Sequence, residues 1–159
     1  MKQVFSMNED WKLHKEVRQE GVEDADNFDM FSGYTKTGAM IGEGSDGFCD
    51  ADWRVVQLPH DWLVEEPFTN QNNVQGYKPK GAAWYRKWFS VPKEWEGKRI
   101  FLRFDGISGR SVIVLNNITV AKSESCYTPV HLEIGDMLHY GEPNLLAVRA
   151  DNFRSEGWW

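Results

Sequence analysis

An alternation of apolar and polar residues between positions 81 and 152 constrains the fold of this chain more than any other feature. In its clearest part, Ile100, Leu102 and Phe104 fall on one face of an extended strand. The opposite face carries the charged residues Arg99, Arg103 and Asp105, with Phe101 as an apolar exception. Because successive side chains of a strand point to opposite faces, this pattern predicts a half-buried strand in an antiparallel sheet.

The next predicted strand, over residues 111–116, is apolar on both faces. Val112 and Val114 point one way, and Ile113 and Leu115 point the other. A strand of this kind is typical of a sheet that is covered on both sides. Along the whole chain the pattern predicts about eight short strands separated by turn residues. The expected fold class is therefore all-β, a jelly-roll or a related β-sandwich.

The size and charge of the chain limit the classes of protein to which it can belong. Its 159 residues are typical of one domain, and we expect residues 1–159 to form a single β-sandwich domain. A net charge of −6 argues against a nucleic-acid partner, since phosphate contacts need clustered Lys and Arg. No apolar run approaches the roughly 20 residues of a membrane span, so no membrane partner is expected. Cys49 and Cys126 form no CxxC pair, and two free thiols are favoured over a disulfide.

Residues 17–52 are rich in Gly, Asp and Glu, and we expect most of them to form a long loop. Residues 42–47 match G-x-G-x-x-G, but no βαβ context surrounds the motif, so dinucleotide binding is not expected. Four carboxylates crowd the same segment: Glu43, Asp46, Asp50 and Asp52. Their spacing fits no EF-hand, and a solvated acidic loop is favoured over a calcium site. We therefore expect neither a metal nor a cofactor.

A His-Asp pair follows the strand that is predicted to end at Pro59. His60 and Asp61 could be read as a general-base pair. No nucleophilic Ser or Cys stands at a recognisable spacing from them, so a triad would need distant residues. The favoured interpretation is structural: the two side chains cap backbone groups where the strand leaves the sheet.

Two other stretches suit contacts with a carbohydrate. Residues 69–80 carry several amide side chains, whose paired donors and acceptors match sugar hydroxyls, although a plain solvated loop is an equal alternative. In the strand that follows, Trp84 and Trp88 point to the same face and could form a platform on which a sugar ring stacks. The alternative is that both rings fill the core, as most aromatic residues of strands do.

Six motifs, taken in order, resemble the N-terminal domain of glycoside hydrolase family 2, whose most similar members would be bacterial β-galactosidases. The motifs are Asp52-Trp53, Leu58-Pro-His-Asp-Trp62, Gly81-x-x-Trp-Tyr-Arg86, Phe104-Asp-Gly106, Val114-Leu-Asn116 and Asn144-Leu-Leu-Ala-Val-Arg-Ala-Asp-Asn152. The resemblance implies a jelly-roll, galactose-binding-like domain at the front of a multidomain enzyme. An immunoglobulin-like domain and a TIM barrel would follow it and be its partners. The two catalytic glutamates would lie in that barrel, so no catalytic residue is expected among these 159 residues.

The resemblance also implies which residues would lie close to the carbohydrate substrate. An Asp shortly after the last strand corresponds to Asp151, with Asn152 beside it, and the loop before the Trp-Tyr strand contains Asn73. For Asp151, capping of the strand end is an equal alternative. The final Trp158-Trp159 suggests that the natural chain continues, because a domain rarely ends on two exposed indoles.

A second function of another class is a free-standing carbohydrate-binding module. Such a module would expose two or three coplanar aromatic rings, whereas a domain that docks on later domains would bury Trp84 and Trp88. The sugar that the enzyme would hydrolyse is not indicated, and β-galactosides, β-glucuronides and β-mannosides all stay open. The compartment, periplasmic or cytoplasmic in a bacterium, also stays open.

Overall fold

The structure is a computed structural model that describes residues 2–16, 40–68 and 77–152. Asn73, Trp158, Trp159 and most of the predicted long loop over residues 17–52 lie outside the described residues.

The described residues form eight β-strands, and short 3₁₀ turns are their only helical elements. The strands are β1 (Trp11–Lys15), β2 (Arg54–Val56), β3 (Ala82–Ser90), β4 (Phe101–Phe104), β5 (Arg110–Leu115), β6 (Ile118–Ser123), β7 (Val130–Glu133) and β8 (Pro143–Asp151). The 3₁₀ turns span Gly42–Gly44, Lys93–Trp95 and Gly135–Met137. No helix in this part of the chain is long and apolar enough to cross a membrane.

Six of the strands form one antiparallel sheet in the order β2-β1-β3-β8-β5-β6, and β4 pairs with β7 in a second, two-stranded sheet. A hairpin between β5 and β6 turns at Asn116 and Asn117, whose positive φ angles of 49° and 68° are typical of a tight two-residue hairpin turn. The predicted all-β, galactose-binding-like sandwich is confirmed.

Each face of the large sheet is covered by its own hydrophobic cluster. The inner cluster, between the two sheets, includes Leu13, Ile113 and Leu115 from the large sheet and Leu102 from the small one. The outer cluster comprises Met40, Trp53, Trp84, Val112, Val114 and Ala147. All six residues of β5 are buried, as the sequence predicts for a strand that is covered on both sides. Each large apolar side chain buried in this way contributes about 1.5–3 kcal/mol.

The apolar residues Val4, Phe5, Trp11 and Leu13 predict an opening strand or two within residues 1–16. Trp11 and Leu13 are buried in β1, but Val4 and Phe5 are exposed and precede it, so the prediction is wrong for these two residues. The Phe5 ring instead lies 5.0 Å from the ring of the half-buried Trp95. Cys49 and Cys126 are free thiols, as the sequence favours.

Candidate functional site

Four strand ends meet at one end of the large sheet. Lys15, next to the last described residue of the first segment, lies opposite Ala83, and Ala82 lies opposite Asp151. Arg110, the first residue of β5, lies opposite Asp151 from the other side. Antiparallel pairing therefore brings the end of β1, the start of β3, the end of β8 and the start of β5 together, and we call this place the sheet end.

Asp151 is the most deeply buried carboxylate of the sheet end. Its Oδ1 accepts a hydrogen bond from Arg110 Nε at 2.8 Å, and its Oδ2 accepts one from Arg149 Nη1 at 2.5 Å. The side chain of Asp151 has no exposed surface. Burial of a carboxylate is tolerated only where its charge is paired and hydrogen-bonded, and two guanidinium groups meet that demand here.

Arg149 continues the network to a second carboxylate. Its Nε and Nη2 donate to the two oxygens of Glu16 at 2.6 and 2.8 Å, and the indole Nε1 of Trp84 donates to Glu16 Oε1 at 2.9 Å. Burial alone would lower the pKa of Arg149. The hydrogen bonds and charges of Glu16 and Asp151 together outweigh burial, so the pKa of Arg149 is raised above its ordinary value.

Asn152 ties the end of β8 to the start of β3. Its side-chain Oδ1 accepts from the Gly81 N–H at 2.7 Å, its Nδ2 donates to the Pro79 carbonyl at 3.0 Å, and its backbone N–H donates to the Gly81 carbonyl at 3.1 Å. The Trp62 ring packs directly on Gly81, because a Cβ built there would lie 2.9 Å from Trp62. A glycine is therefore needed at this contact.

The sheet end is built for rigidity rather than for acid–base chemistry. Glycoside hydrolysis with retention needs two carboxylates about 5–5.5 Å apart with access to the sugar, and one of them must exchange a proton. Asp151 is inaccessible, and both it and Glu16 are held by guanidinium groups. The structure thus places Asp151 and Asn152 side by side at the predicted edge, where both fix the strand ends. Their closeness to a substrate stays a prediction, as does that of Asn73.

The two candidate stacking residues differ in their exposure. Trp84 is fully buried in the outer cluster, whereas Trp88 is 45% exposed. A platform made of both rings is therefore absent, and for Trp84 the core-filling alternative is the right one. The physical reason is that residues 40–53 cover the outer face of the sheet at Trp84 but leave Trp88 uncovered.

A buried arginine holds that covering segment in place. Arg86 Nη1 donates to the carbonyls of Glu43 and Ser45 at 2.7 and 2.9 Å, and the Arg86 guanidinium stacks near the ring of Trp53. Arg86 Nε and Asp50 Oδ2 lie 3.0 Å apart, but they are not aligned as a hydrogen bond, so this contact is ionic. Burial lowers the pKa of Arg86, although the charge of Asp50 opposes that shift.

The acidic segment is therefore only partly a solvated loop. Asp50 is paired with Arg86 and also with Lys12, whose Nζ lies 2.7 Å from Asp50 Oδ1. In the described ranges no three His, Cys, Asp or Glu side chains form a group that could hold a metal ion. The G-x-G-x-x-G segment contributes backbone carbonyls to Arg86 and packs through Gly44 on Met40 and Trp84.

His60 and Asp61 play different structural parts. Asp61 Oδ1 accepts a hydrogen bond from the Leu63 N–H at 2.9 Å, as predicted for a capping residue. His60 does not cap the backbone, which corrects the prediction: its Nδ1 lies 2.9 Å from the Tyr85 hydroxyl and its Nε2 lies 3.1 Å from Glu65 Oε1. The mostly buried ring instead links the Tyr85 hydroxyl to the ion pair of Glu65 and Arg54, whose Nη2 lies 3.0 Å from His60 Nε2.

Two of the three partners of His60, Tyr85 and Glu65, have strongly shifted pKa values. Burial raises the pKa of Tyr85 to about 12. The Arg54 guanidinium, which donates to both Glu65 oxygens at 2.7 Å, lowers the pKa of Glu65 to about 2, with a smaller contribution from His60. At neutral pH the cluster therefore contains a neutral phenol and an ionised carboxylate.

The sequence reasoning missed the arginines that organise these sites. Arg86, Arg110 and Arg149 lie in strands among apolar residues, and all three are buried. The sequence does contain an indication of these sites, because an arginine inside a buried strand needs a counter-charge. Asp50, Asp151 and Glu16 are those counter-charges.

The fold and the sheet end define this chain as a galactose-binding-like β-sandwich. Residues 55–158 match the model of the glycosyl hydrolase 2 galactose-binding domain-like family. This match covers well over half of the chain, and the chain belongs to that family.

Relatives and solved structures agree with this assignment. The chain is similar to a β-galactosidase of Bacteroides ovatus, with 40% identity over 109 residues, which are 67% of this chain and 13% of the relative. It is also similar to a β-glucuronidase of Bacteroides fragilis, with 36% identity over 101 residues, 64% of this chain and 14% of the relative. A solved family 2 glycosyl hydrolase from Bacteroides cellulosilyticus aligns with a TM-score of 0.74 and 30% identity, covering 93% of this chain and 17% of that one. The chain thus spans about one seventh of the length of these curated relatives.

Proposed function

We propose that this chain is the non-catalytic N-terminal domain of a retaining β-glycosidase, with a β-galactosidase as the favoured enzyme. The observation that carries the proposal is the extent of the matches. The family model covers residues 55–158, while the alignment takes up only 13% of the β-galactosidase from Bacteroides ovatus. A chain of this size has no room for the (β/α)₈ barrel, of about 250 residues, on which the glutamates of this family lie.

The chemistry of the sheet end supports a non-catalytic role for this domain. Asp151 has no exposed side-chain surface, and Arg110 and Arg149 occupy both of its oxygens. A general acid must reach the glycosidic oxygen and carry a proton to it, and a nucleophile must reach the anomeric carbon. Asp151 meets neither condition.

The partners in this proposal are an immunoglobulin-like domain and a TIM barrel of the same chain. Three exposed apolar side chains, Val64, Phe68 and Tyr77, lie in the chain segments on either side of residues 69–76. An isolated domain gains nothing from exposing them, whereas a domain that docks beside the barrel would bury them. In the docked enzyme Asp151, Asn152 and Asn73 would lie near the carbohydrate substrate.

The test compares the 159-residue chain with the full-length enzyme. The isolated chain should release no nitrophenol from 4-nitrophenyl β-D-galactopyranoside, and the full-length enzyme should hydrolyse it. The β-glucuronide and β-mannoside analogues, measured in parallel, decide the glycoside. Turnover by the isolated chain at an enzyme-like rate would refute the proposal, as would a full-length chain that hydrolyses none of the three.

A free-standing carbohydrate-binding module is the less favoured alternative. Trp84 is buried and offers no ring to a sugar, and Trp88 alone is half exposed. Calorimetry with galacto-oligosaccharides separates the two functions. A docking domain should give no measurable heat of binding, and a binding module should saturate.

A further inference from the structure

The ring of His60 stands between a core tyrosine and a surface carboxylate. The Tyr85 hydroxyl oxygen lies 2.9 Å from His60 Nδ1, within hydrogen-bond distance. On the other side of the ring, His60 Nε2 lies 3.1 Å from Glu65 Oε1 and 3.0 Å from Arg54 Nη2.

This chain of hydrogen bonds holds one segment against the sheet. Tyr85 belongs to β3 and to the inner cluster. His60 and Glu65 lie in residues 59–68, which contact β3 through His60 and Tyr85 and which we call the crossing segment. Arg54 of β2 supports the outer end by donating to both Glu65 oxygens at 2.7 Å. His60 thus connects the crossing segment to two strands of the large sheet.

The crossing segment leads directly to the sheet end. Trp62 follows His60 by two residues, its ring packs on Gly81, and the Gly81 N–H donates to Asn152 Oδ1. At its far end, Lys78 Nζ donates to the carbonyls of Val64, at 3.1 Å, and Glu66, at 2.5 Å, so both stems of residues 69–76 are joined. His60 therefore belongs to the same connected set of contacts as these stems and Asn152.

We propose that His60 is a positioning residue, which fixes the Trp62–Gly81 contact and the stems of residues 69–76 at the side of the domain that faces the sugar. The proposal rests on the function proposed above, because the expected effect of changing His60 is on the binding of a glycoside substrate. His60 does not itself contact the sugar, since its ring is mostly buried between Tyr85 and Glu65. Its effect is transmitted through Trp62.

The first experiment uses the 159-residue chain and measures amide hydrogen exchange by NMR. His60→Phe keeps the ring but removes both nitrogen atoms, and it should speed exchange at the Trp62 amide by about tenfold or more. His60→Gln, whose amide offers one acceptor and one donor, should recover most of the protection. Tyr85→Phe should repeat the effect of His60→Phe, and it decides the matter if His60→Phe does not fold. The matched control is His131→Phe, at an exposed histidine of β7, which should leave Trp62 unchanged.

The second experiment places the same variants in the full-length enzyme. His60→Phe should raise the KM for the preferred nitrophenyl glycoside by about tenfold while kcat stays within about twofold, since the chemistry takes place elsewhere. Unchanged exchange at Trp62 in both His60→Phe and Tyr85→Phe would overturn the proposal. Faster exchange with an unchanged KM would overturn the link to the substrate. A wild-type enzyme that hydrolyses no β-glycoside would instead refute the proposed function, and with it any role of His60 towards a sugar.

Discussion

Arg110 Nε and Asp151 Oδ1 lie 2.8 Å apart across the pair of strands β5 and β8, and both side chains are buried. Arg110 begins β5 and Asp151 ends β8, so this one contact joins two strands where both terminate. Arg149 Nη1 binds the second oxygen of Asp151. The sheet end therefore depends on a carboxylate that no water reaches, and this arrangement makes Asp151 sensitive to the loss of its charge.

Replacing Asp151 with Asn should destabilise the domain strongly. The substitution keeps the size of the side chain but leaves Arg110 and Arg149 with one uncompensated positive charge in a buried place, a loss of about 3–5 kcal/mol. Urea unfolding followed by tryptophan fluorescence measures the free energy of unfolding. The matched control is Asp105→Asn at an 85% exposed aspartate, which should change stability by less than about 0.5 kcal/mol. Equal effects of the two variants would show that the buried pair is not stabilising.

Gly109→Ala should be far more damaging than the same change at Gly97. Both glycines have positive φ, +81° and +78°, so each alanine incurs a backbone cost of about 1–2 kcal/mol. A Cβ at Gly109 would also lie 2.1 Å from the Asp151 carbonyl oxygen, which is backbone and cannot move aside, whereas nothing lies within 4 Å of a Cβ at Gly97. The loss of Tm in Gly97→Ala measures the cost of a positive φ alone. The additional loss in Gly109→Ala measures the cost of the steric clash with the Asp151 carbonyl. Equal losses of Tm in the two variants would mean that the backbone at Gly109 and Asp151 can move apart and relieve the clash.

Arg86→Met should release the segment that covers the outer face of the sheet. Methionine keeps much of the apolar volume but removes the Arg86 hydrogen bonds to the carbonyls of Glu43 and Ser45 and removes one cation from Asp50, which should cost about 3–5 kcal/mol. Limited proteolysis within residues 42–50 should accelerate accordingly. Arg103→Met, at a 66% exposed arginine, is the control and should be neutral in both measurements. A segment that stays resistant in the Arg86 variant would contradict this account of how it is held.

The strands could be predicted because their physics is local. Alternation over residues 97–107 indicated which side of β4 is buried, and the doubly apolar run at Val112–Leu115 correctly indicated a strand between two clusters. The same local pattern wrongly predicted that Val4 and Phe5 are buried in a strand, since an apolar residue near a terminus is buried only if another surface packs against it.

The buried polar contacts could not be predicted, because their partners are far apart in the sequence. Arg149 and Glu16 are separated by 133 positions, and Arg86 and Glu43 by 43. Periodicity placed Arg86 on the same face as Trp84 but could not show that an acidic segment covers it. His60 was predicted to cap the backbone for the same reason: Tyr85, 25 positions away, becomes a neighbour only when the sheet has formed.

Acid should weaken the domain through Glu65. Arg54 holds the pKa of Glu65 near 2 in the folded chain, against an ordinary value of 4.5. Between these values the unfolded chain binds more protons than the folded one, so this contribution to stability is fully present above about pH 4.5 and is lost as the pH falls towards 2. Its size should be modest, because the Glu65 side chain is 36% exposed and water screens the pair.

Glu65→Gln should therefore reduce the fall in stability between pH 5 and pH 3, when urea unfolding is measured at constant ionic strength. Arg54→Gln should reduce the same slope, since it removes the main cause of the shifted pKa, and the double variant should add little to either single change. His60→Gln should have a smaller effect, because His60 contributes less to the shift than Arg54 does. A Glu65→Gln variant that kept the full acid slope of the wild type would show that this carboxylate is not paired in solution.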